Sequence, residues 1–298
     1  MTTSTETGMR DVFIAETIAA LDTDPRLALV LAEISADRFW RSLADHPDRA
    51  INVGIREQLL LGVAGGLALT GLRPVVHSYS AFLVERAFEQ IKLDLGHQGV
   101  SAVLAGVGAS YDWAQGGFTH HSARDVALFD TIPGWRVEVP GHPDEVAAPL
   151  RRSFTSDDSV YLRLSLRRNH KPHHVHDGRL SVVRTGTTAT VVAVGPMLDN
   201  VLAAVEGLDV TVAYTTTVRP FDVTGLRELG NDTVVIVEPY LAGTSAHVVS
   251  QALADRPHRL LSLGVANTDL HRFGTPDEHD VRHNLDPAGI RAAIDRFC

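Results

Sequence analysis

Glu57 is the first residue in this chain whose type and setting could do chemistry. It stands in Ile51-Asn52-Val53-Gly54-Ile55-Arg56-Glu57-Gln58, where an extended segment turns into a helix rich in Leu, Ala and Gly. A carboxylate that enters an apolar setting is expensive unless something specific pairs with it. Alone, Glu57 also reads as a helix-start glutamate favoured by the helix dipole. Three later segments bear on the choice. In Tyr79-Ser80-Ala81-Phe82-Leu83-Val84-Glu85-Arg86, Phe82 falls at the carboxyl end of an expected strand, where open α/β sheets bind ligands. An aromatic ring there is either a stacking platform for a planar group or ordinary core; Phe88 reads as core. From Gly106 to Asp125 runs a loop too long to be a mere connection, carrying Gly116-Gly117-Phe118-Thr119-His120. Its glycines let backbone approach a ligand, and His120 can donate or accept a proton near neutral pH. It is no dinucleotide fingerprint, because no Gly-x-Gly-x-x-Gly opens a helix there. Last, Tyr161-Leu162-Arg163-Leu164-Ser165-Leu166-Arg167-Arg168-Asn169 runs a strand into a basic cluster suited to carboxylate or phosphate capture, with Arg168 reading as the start of a solvated linker.

The elements that must position these groups are those of an α/β protein. Apolar β-branched runs at 27–31, 75–79, 100–104 and 135–139 alternate with helical patterns at about 9–21, 56–70, 83–96 and 143–154. Strands without clean polar alternation, separated by helices, predict a mostly parallel sheet covered on both faces. Near residue 165 the pattern breaks into a polar stretch containing His170, His173, His174 and His176. It is read as a linker, without a metal, since the imidazoles lack acidic or cysteine partners at ligand spacing. A second α/β series follows, with strands at 190–194, 210–214 and 233–237 and helices at about 197–206, 222–229, 244–254 and 287–297. The expected organisation is a disordered tail over 1–8, a first doubly wound domain over 9–165, a linker over 166–185 and a second domain over 186–298.

Bulk properties exclude several classes. The chain has 298 residues, 44% hydrophobic and 21% charged, long enough for two ordinary cores. A formal charge of −9 argues against a nucleic-acid partner. No window approaches a membrane span, and the first residues lack the features of a signal peptide. The single cysteine, Cys298, fits a reducing, cytoplasmic setting.

Together the segments resemble the transketolase family of thiamine diphosphate enzymes, in its pyrimidine-binding domain followed by its carboxy-terminal domain, from about Met9 to the end. Gly54-Ile55-Arg56-Glu57-Gln58 is similar to the family's G-[IV]-[RA]-E-[QH] segment, and Tyr79-Ser80-Ala81-Phe82 with Arg86 and Gln90 to its F-x-x-x-R segment. Phe118-Thr119-His120 stands at P-T-H, and Leu166-Arg167-Arg168-Asn169 resembles S-R-Q-N. The resemblance implies that Glu57 hydrogen-bonds the ring nitrogen of the cofactor's pyrimidine, that Phe82 stacks on that ring, and that Tyr79 and Arg86 help hold it. It further implies that His120 contacts the oxygens of the bound ketose, with Arg163, Arg167 and Arg10 binding a substrate phosphate. No Gly-Asp-Gly occurs in the chain, so the diphosphate and Mg²⁺ are expected on a separate amino-terminal subunit, in an α2β2 heterotetramer. The activity so implied is that of a split transketolase, moving a two-carbon ketol unit from a ketose to an aldehyde. The alternatives are the β subunit of a 2-oxoacid dehydrogenase E1 component, a deoxyxylulose-phosphate-synthase-like enzyme, and a catalytically silent α/β scaffold. Two departures bear on substrate. Gly116 stands where the family carries the aspartate that recognises an acceptor hydroxyl, and Gly106 to Gly108 occupy the neighbourhood of an upstream T-H-D histidine. A non-phosphorylated or unusual acceptor is therefore expected.

Overall fold

The computed structural model describes residues 7–173, 178–268 and 271–298. The first half folds around strands β1 (Leu27–Leu31), β2 (Ala50–Asn52), β3 (Arg73–Tyr79), β4 (Val103–Val107), β5 (Trp135–Glu138) and β6 (Ser159–Arg163). They lie parallel in the order β5-β6-β4-β3-β1-β2. Every residue of β1 and β4 is buried, as a sheet covered on both faces requires. Alternate side chains enter different cores. Leu27, Leu29 and Leu31 join Phe13, Leu21 and Leu150 beneath the helices Met9–Thr23 and Ala147–Thr155. Val30, Val76 and Leu104 point the other way, against Leu60, Leu61, Leu83 and Ile91. Full burial of a leucine such as Leu60 contributes about 1.5–3 kcal/mol.

The helix that follows Glu57 runs from Glu57 to Leu69. Its glycines have a packing role: a Cβ on Gly65 would stand 2.5 Å from the Asp94 carbonyl, so only glycine lets this helix lie so close to its neighbour. That neighbour is not the single regular helix expected over 83–96. The chain instead forms two π-helical runs, Ala81–Arg86 and Ile91–His97, with a short α segment Phe88–Gln90 between them. Wide turns of this kind concentrate at functional sites.

The second half builds a five-stranded sheet from β7 (Ser181–Arg184), β8 (Thr190–Val194), β9 (Thr211–Thr215), β11 (Thr233–Leu241) and β12 (Arg259–Val265), in the order β12-β11-β8-β9-β7. Only β7 runs antiparallel to its neighbour. Helices Leu198–Ala204 and Pro287–Phe297 cover one face, and the other face shares the core that holds Leu60 and Leu83. The short strand β10 (Thr217–Arg219) leaves this half to pair antiparallel with β5 at the edge of the first sheet. Thr217 Oγ1 donates to Glu138 Oε2 at 2.7 Å, and Arg219 forms an ion pair with Asp130.

The stretch expected as linker, 166–185, is partly built into the fold. Asn169 is 1% exposed and donates to the Gly195 carbonyl, and β7 occupies 181–184. His170 is exposed and bonds Asp199, while His173 packs edge-on against Tyr214. His174 and His176 lie outside the described residues, as do residues 1–6 of the expected tail. Among the described residues no helix is long and apolar enough to cross a membrane.

Candidate active site

The turn that delivers Glu57 is short and closed by its own atoms. Asn52 Oδ1 accepts from the Gly54 amide at 3.1 Å, Gly54 adopts φ +71°, and the Arg56 amide donates back to the Gly54 carbonyl at 2.8 Å. Positive φ is why glycine stands at 54. The helix then starts with Glu57 in its first turn, the residue 2% exposed. Arg86 supplies the partner: Nη1 donates to Glu57 Oε2 at 2.7 Å.

Arg86 reaches Glu57 from the π-helical run that follows β3. Its guanidinium carbon lies 4.0 Å from the centroid of the Phe82 ring, four residues earlier on the same run. Phe82 meets His120 edge-on at 5.1 Å between ring centroids, and Tyr79 lies 5.9 Å from Phe82 and 6.1 Å from His120. The Thr119 hydroxyl stands 2.9 Å from His120 Nδ1, so this neighbour orients the imidazole. Five expected residues, Glu57, Tyr79, Phe82, Arg86 and His120, thus gather at one place, from three separate segments. They make a buried carboxylate beside an aromatic wall, with an imidazole across from it. Such a group can hold a flat, hydrogen-bonding ring and pass protons to its edge.

The three remaining arginines, expected to bind a substrate phosphate, are not gathered with these five and hold partners of their own. Arg163 is 1% exposed; Nε donates to Asp125 at 2.7 Å, and Nη2 to Ser110 Oγ at 2.8 Å and the Ser122 carbonyl at 3.0 Å. Tyr161 adds a hydroxyl to the same Asp125 at 2.8 Å. A buried cation so fully paired fastens the 106–125 loop to β6 and is closed to a ligand. Arg167 forms an ion pair with Asp280 in the second half of the chain. Arg10 donates to Ser35 Oγ, which also contacts the buried His77. His77 is pushed down to about 4 by burial, although its bond to the Ala105 carbonyl works the other way.

Sequence reasoning passed over two neighbours of the site. Glu85 is pushed up to about 7, chiefly by burial and then by the charge of Asp125, and its Oε1 has no hydrogen-bond partner among the described residues. Trp113 lies 6.2 Å from Tyr79 and folds back over Gly116, where a Cβ would be 2.2 Å from its Cδ1. A tryptophan three residues before a glycine pair was the visible signal for Trp113; nothing local marks Glu85.

Comparison with known proteins decides the family. Residues 6–170 match the model of the transketolase pyrimidine-binding domain, and residues 178–290 that of the transketolase C-terminal domain. The chain belongs to the transketolase family. It is 50% identical over 297 residues to an uncharacterized 33.6 kDa protein in the fasciation locus of Rhodococcoides fascians, covering 98% of this chain and 95% of that one. It is 33% identical over 214 residues to the 6-deoxy-6-sulfo-D-fructose transketolase subunit of Clostridium sp. (strain MSTE9), covering 69% of this chain and 64% of that one. Its fold matches a solved structure described as a split gene transketolase, inactive beta4 tetramer, with a TM-score of 0.83, 23% identity and 97% of each chain covered. The transketolase fold thus explains both sheets and the order of the segments that carry the site.

The residues fit the pyrimidine half of thiamine diphosphate, which this family implies. The cradle already holds a donor over an aromatic face, because the Arg86 guanidinium lies over Phe82 and donates to Glu57. Arg86, expected to hold the cofactor, here holds the carboxylate. Among the described residues no group of three or more His, Cys, Asp or Glu is arranged to hold a metal ion.

Proposed function

We propose that this chain is the carboxy-terminal subunit of a split transketolase, active with an amino-terminal subunit that carries the cofactor's diphosphate and Mg²⁺, in an α2β2 assembly in the cytoplasm. The observation that carries the reading is the Arg86 guanidinium, its carbon 4.0 Å over the Phe82 ring, bonded to the buried Glu57. It marks a slot shaped for a planar ring with a hydrogen-bond donor at one edge. Thiamine diphosphate, bound there, would supply the carbanion chemistry that breaks and makes the carbon–carbon bond.

In this reading Glu57 takes and returns a proton at the ring nitrogen, which is why a carboxylate stands in a water-poor place. Phe82 carries the ring on its face and Tyr79 closes its side. His120, oriented by Thr119, holds the carbonyl oxygen of the ketose and then of the aldehyde. Arg86 swings aside when the slot fills. Since Arg163 and Arg167 are bound to Asp125 and Asp280, the acceptor is proposed to be non-phosphorylated.

The test combines the chain with its partner subunit, thiamine diphosphate and Mg²⁺, and screens ketose donors against aldehyde acceptors. Glu57→Gln should cut turnover by about 10²–10⁴-fold, the usual scale of a proton-transfer contribution. Intact turnover in that variant would sink the mechanism, and turnover by this chain alone would sink the split-subunit reading.

A further inference from the structure

We infer that Trp113 selects the acceptor, and that the aldehyde this enzyme uses carries an apolar, ring-bearing substituent in place of a hydroxylated chain. The inference rests on the transketolase reading above and concerns only its acceptor half. Gly116, at the position where the resemblance places a hydroxyl-recognising aspartate, has no room for any side chain. A Cβ there would lie 2.2 Å from Trp113 Cδ1, 2.8 Å from its Nε1 and 3.0 Å from His120 Cγ. The indole therefore fills the space beside His120 that a carboxylate would need. Its placement is built in: the Gly116 amide donates to the Trp113 carbonyl at 2.9 Å, closing the turn that lays the ring back over the glycine.

The next residue repeats the arrangement. Gly117 has φ +68°, and a Cβ on it would stand 2.7 Å from Cε1 of Phe273, which comes from the second half of the chain. Gly116 and Gly117 are thus both faced by aromatic rings. Trp113, Phe118 and Phe273 are 37%, 40% and 66% exposed, a group of large apolar side chains concentrated at one loop. Tyr79 links this surface to the reacting centre, 6.2 Å from Trp113 and 6.1 Å from His120. An aldehyde whose oxygen reaches His120 sets its substituent against the indole. The ring faces reward a flat hydrocarbon group, and a sugar hydroxyl laid on them loses water without an acceptor for its proton.

The step itself is a ketol transfer. The C2–C3 bond of the ketose breaks, the C3 hydroxyl gives up its proton and becomes an aldehyde, and the two-carbon unit bonds to the acceptor's carbonyl carbon. The acceptor oxygen takes up one proton, so nothing is oxidised or reduced overall.

The experiment uses the full chain assembled with its partner subunit, loaded with thiamine diphosphate and Mg²⁺. Cleavage of the ketose is read separately with ferricyanide as oxidant of the transferred unit, and benzaldehyde and glyceraldehyde are compared as acceptors. Benzaldehyde should have the higher kcat/KM. Trp113→Ala should lower the benzaldehyde-to-glyceraldehyde ratio about tenfold or more, the scale set by one shaped apolar contact. Trp113→Phe should keep the preference, and the pair Trp113→Ala with Gly116→Asp should move it toward glyceraldehyde. Should the alanine variant fail to assemble, Trp113→Gln reads the same ratio with less lost volume. Ketose cleavage with glyceraldehyde preferred, or a ratio unmoved by Trp113→Ala, overturns the inference and leaves the transketolase reading standing. No ketose cleavage with any donor overturns both.

Discussion

The carboxylate of Glu57 is buried yet paired, and its partner sits on the most exposed side chain of the site. Arg86 is 41% exposed against 3% for Glu57, so the guanidinium can leave for water while the carboxylate cannot. Arg86→Ala strips Glu57 of its donor, at a cost of about 1–3 kcal/mol before allowance for solvent reaching the site. The cofactor-free variant should melt earlier, while the rise in melting temperature on adding thiamine diphosphate should grow, because the ring no longer displaces a competitor. Differential scanning fluorimetry reads both effects, and an unchanged or smaller rise would show that Arg86 does not compete for the slot. Glu57, Phe82, Arg86, Tyr79 and His120 were legible because each sits at a strand end or in a long loop with its motif around it. The partners of Arg163 and Arg167 were not legible, because an arginine's direction is set by groups remote in sequence. Asp125 is 38 residues from Arg163, and Asp280 is 113 from Arg167.

At the scale of elements, Arg163 is a fastener. Arg163 on β6 and Asp125, at the start of the helix Asp125–Phe129, pin the loop that carries Trp113 and His120. Removing one member of a buried pair leaves an uncompensated charge, and Arg163→Ala should cost about 3–5 kcal/mol. Urea denaturation measures the loss; the paired change Arg163→Met with Asp125→Leu should recover much of it, because it removes both charges together. The long apolar strands were plain in the sequence, since five consecutive buried residues, as in β1, leave no other reading. Missed elements were short or at edges: β2 and β10 have three residues each, β12 begins on an exposed arginine, and β7 lies in a stretch read as linker. The π-helical runs were missed because an apolar pattern does not distinguish i+5 from i+4 bonding over one or two turns.

Across the whole molecule, the two halves meet at a column of rings. Tyr111 from the first half stacks on His279 at 5.1 Å and on His283 at 5.5 Å, with His121 edge-on to His279 at 5.0 Å. His121 is pushed down to about 4 by burial and then by His279, His283 and His120, and His283 to about 4 by burial and then by His279 and Arg282. The folded values lie below the ordinary histidine value of 6.5, so the folded state prefers both rings neutral. Their contribution is complete above pH 6.5 and is lost as pH falls toward 4. Glu238, buried on β11 and pushed up to about 7 by burial, acts in the opposite sense, losing its contribution as pH rises through that value. Comparison with His283→Phe separates the two: its urea midpoint should fall less than that of the unaltered chain between pH 6.5 and 4. Equal slopes would mean that the interface does not titrate through this ring.

The strand β10 carries a consequence for synthesis. The outer edge of β5 stays unpaired until Thr217 arrives, 79 residues after Glu138 has left the ribosome. At ordinary rates of chain elongation that interval lasts about 4–16 s. For that time the nascent first sheet presents an open rim to any other unfinished chain nearby, and a chaperone or a second copy can occupy it before the molecule's own strand does.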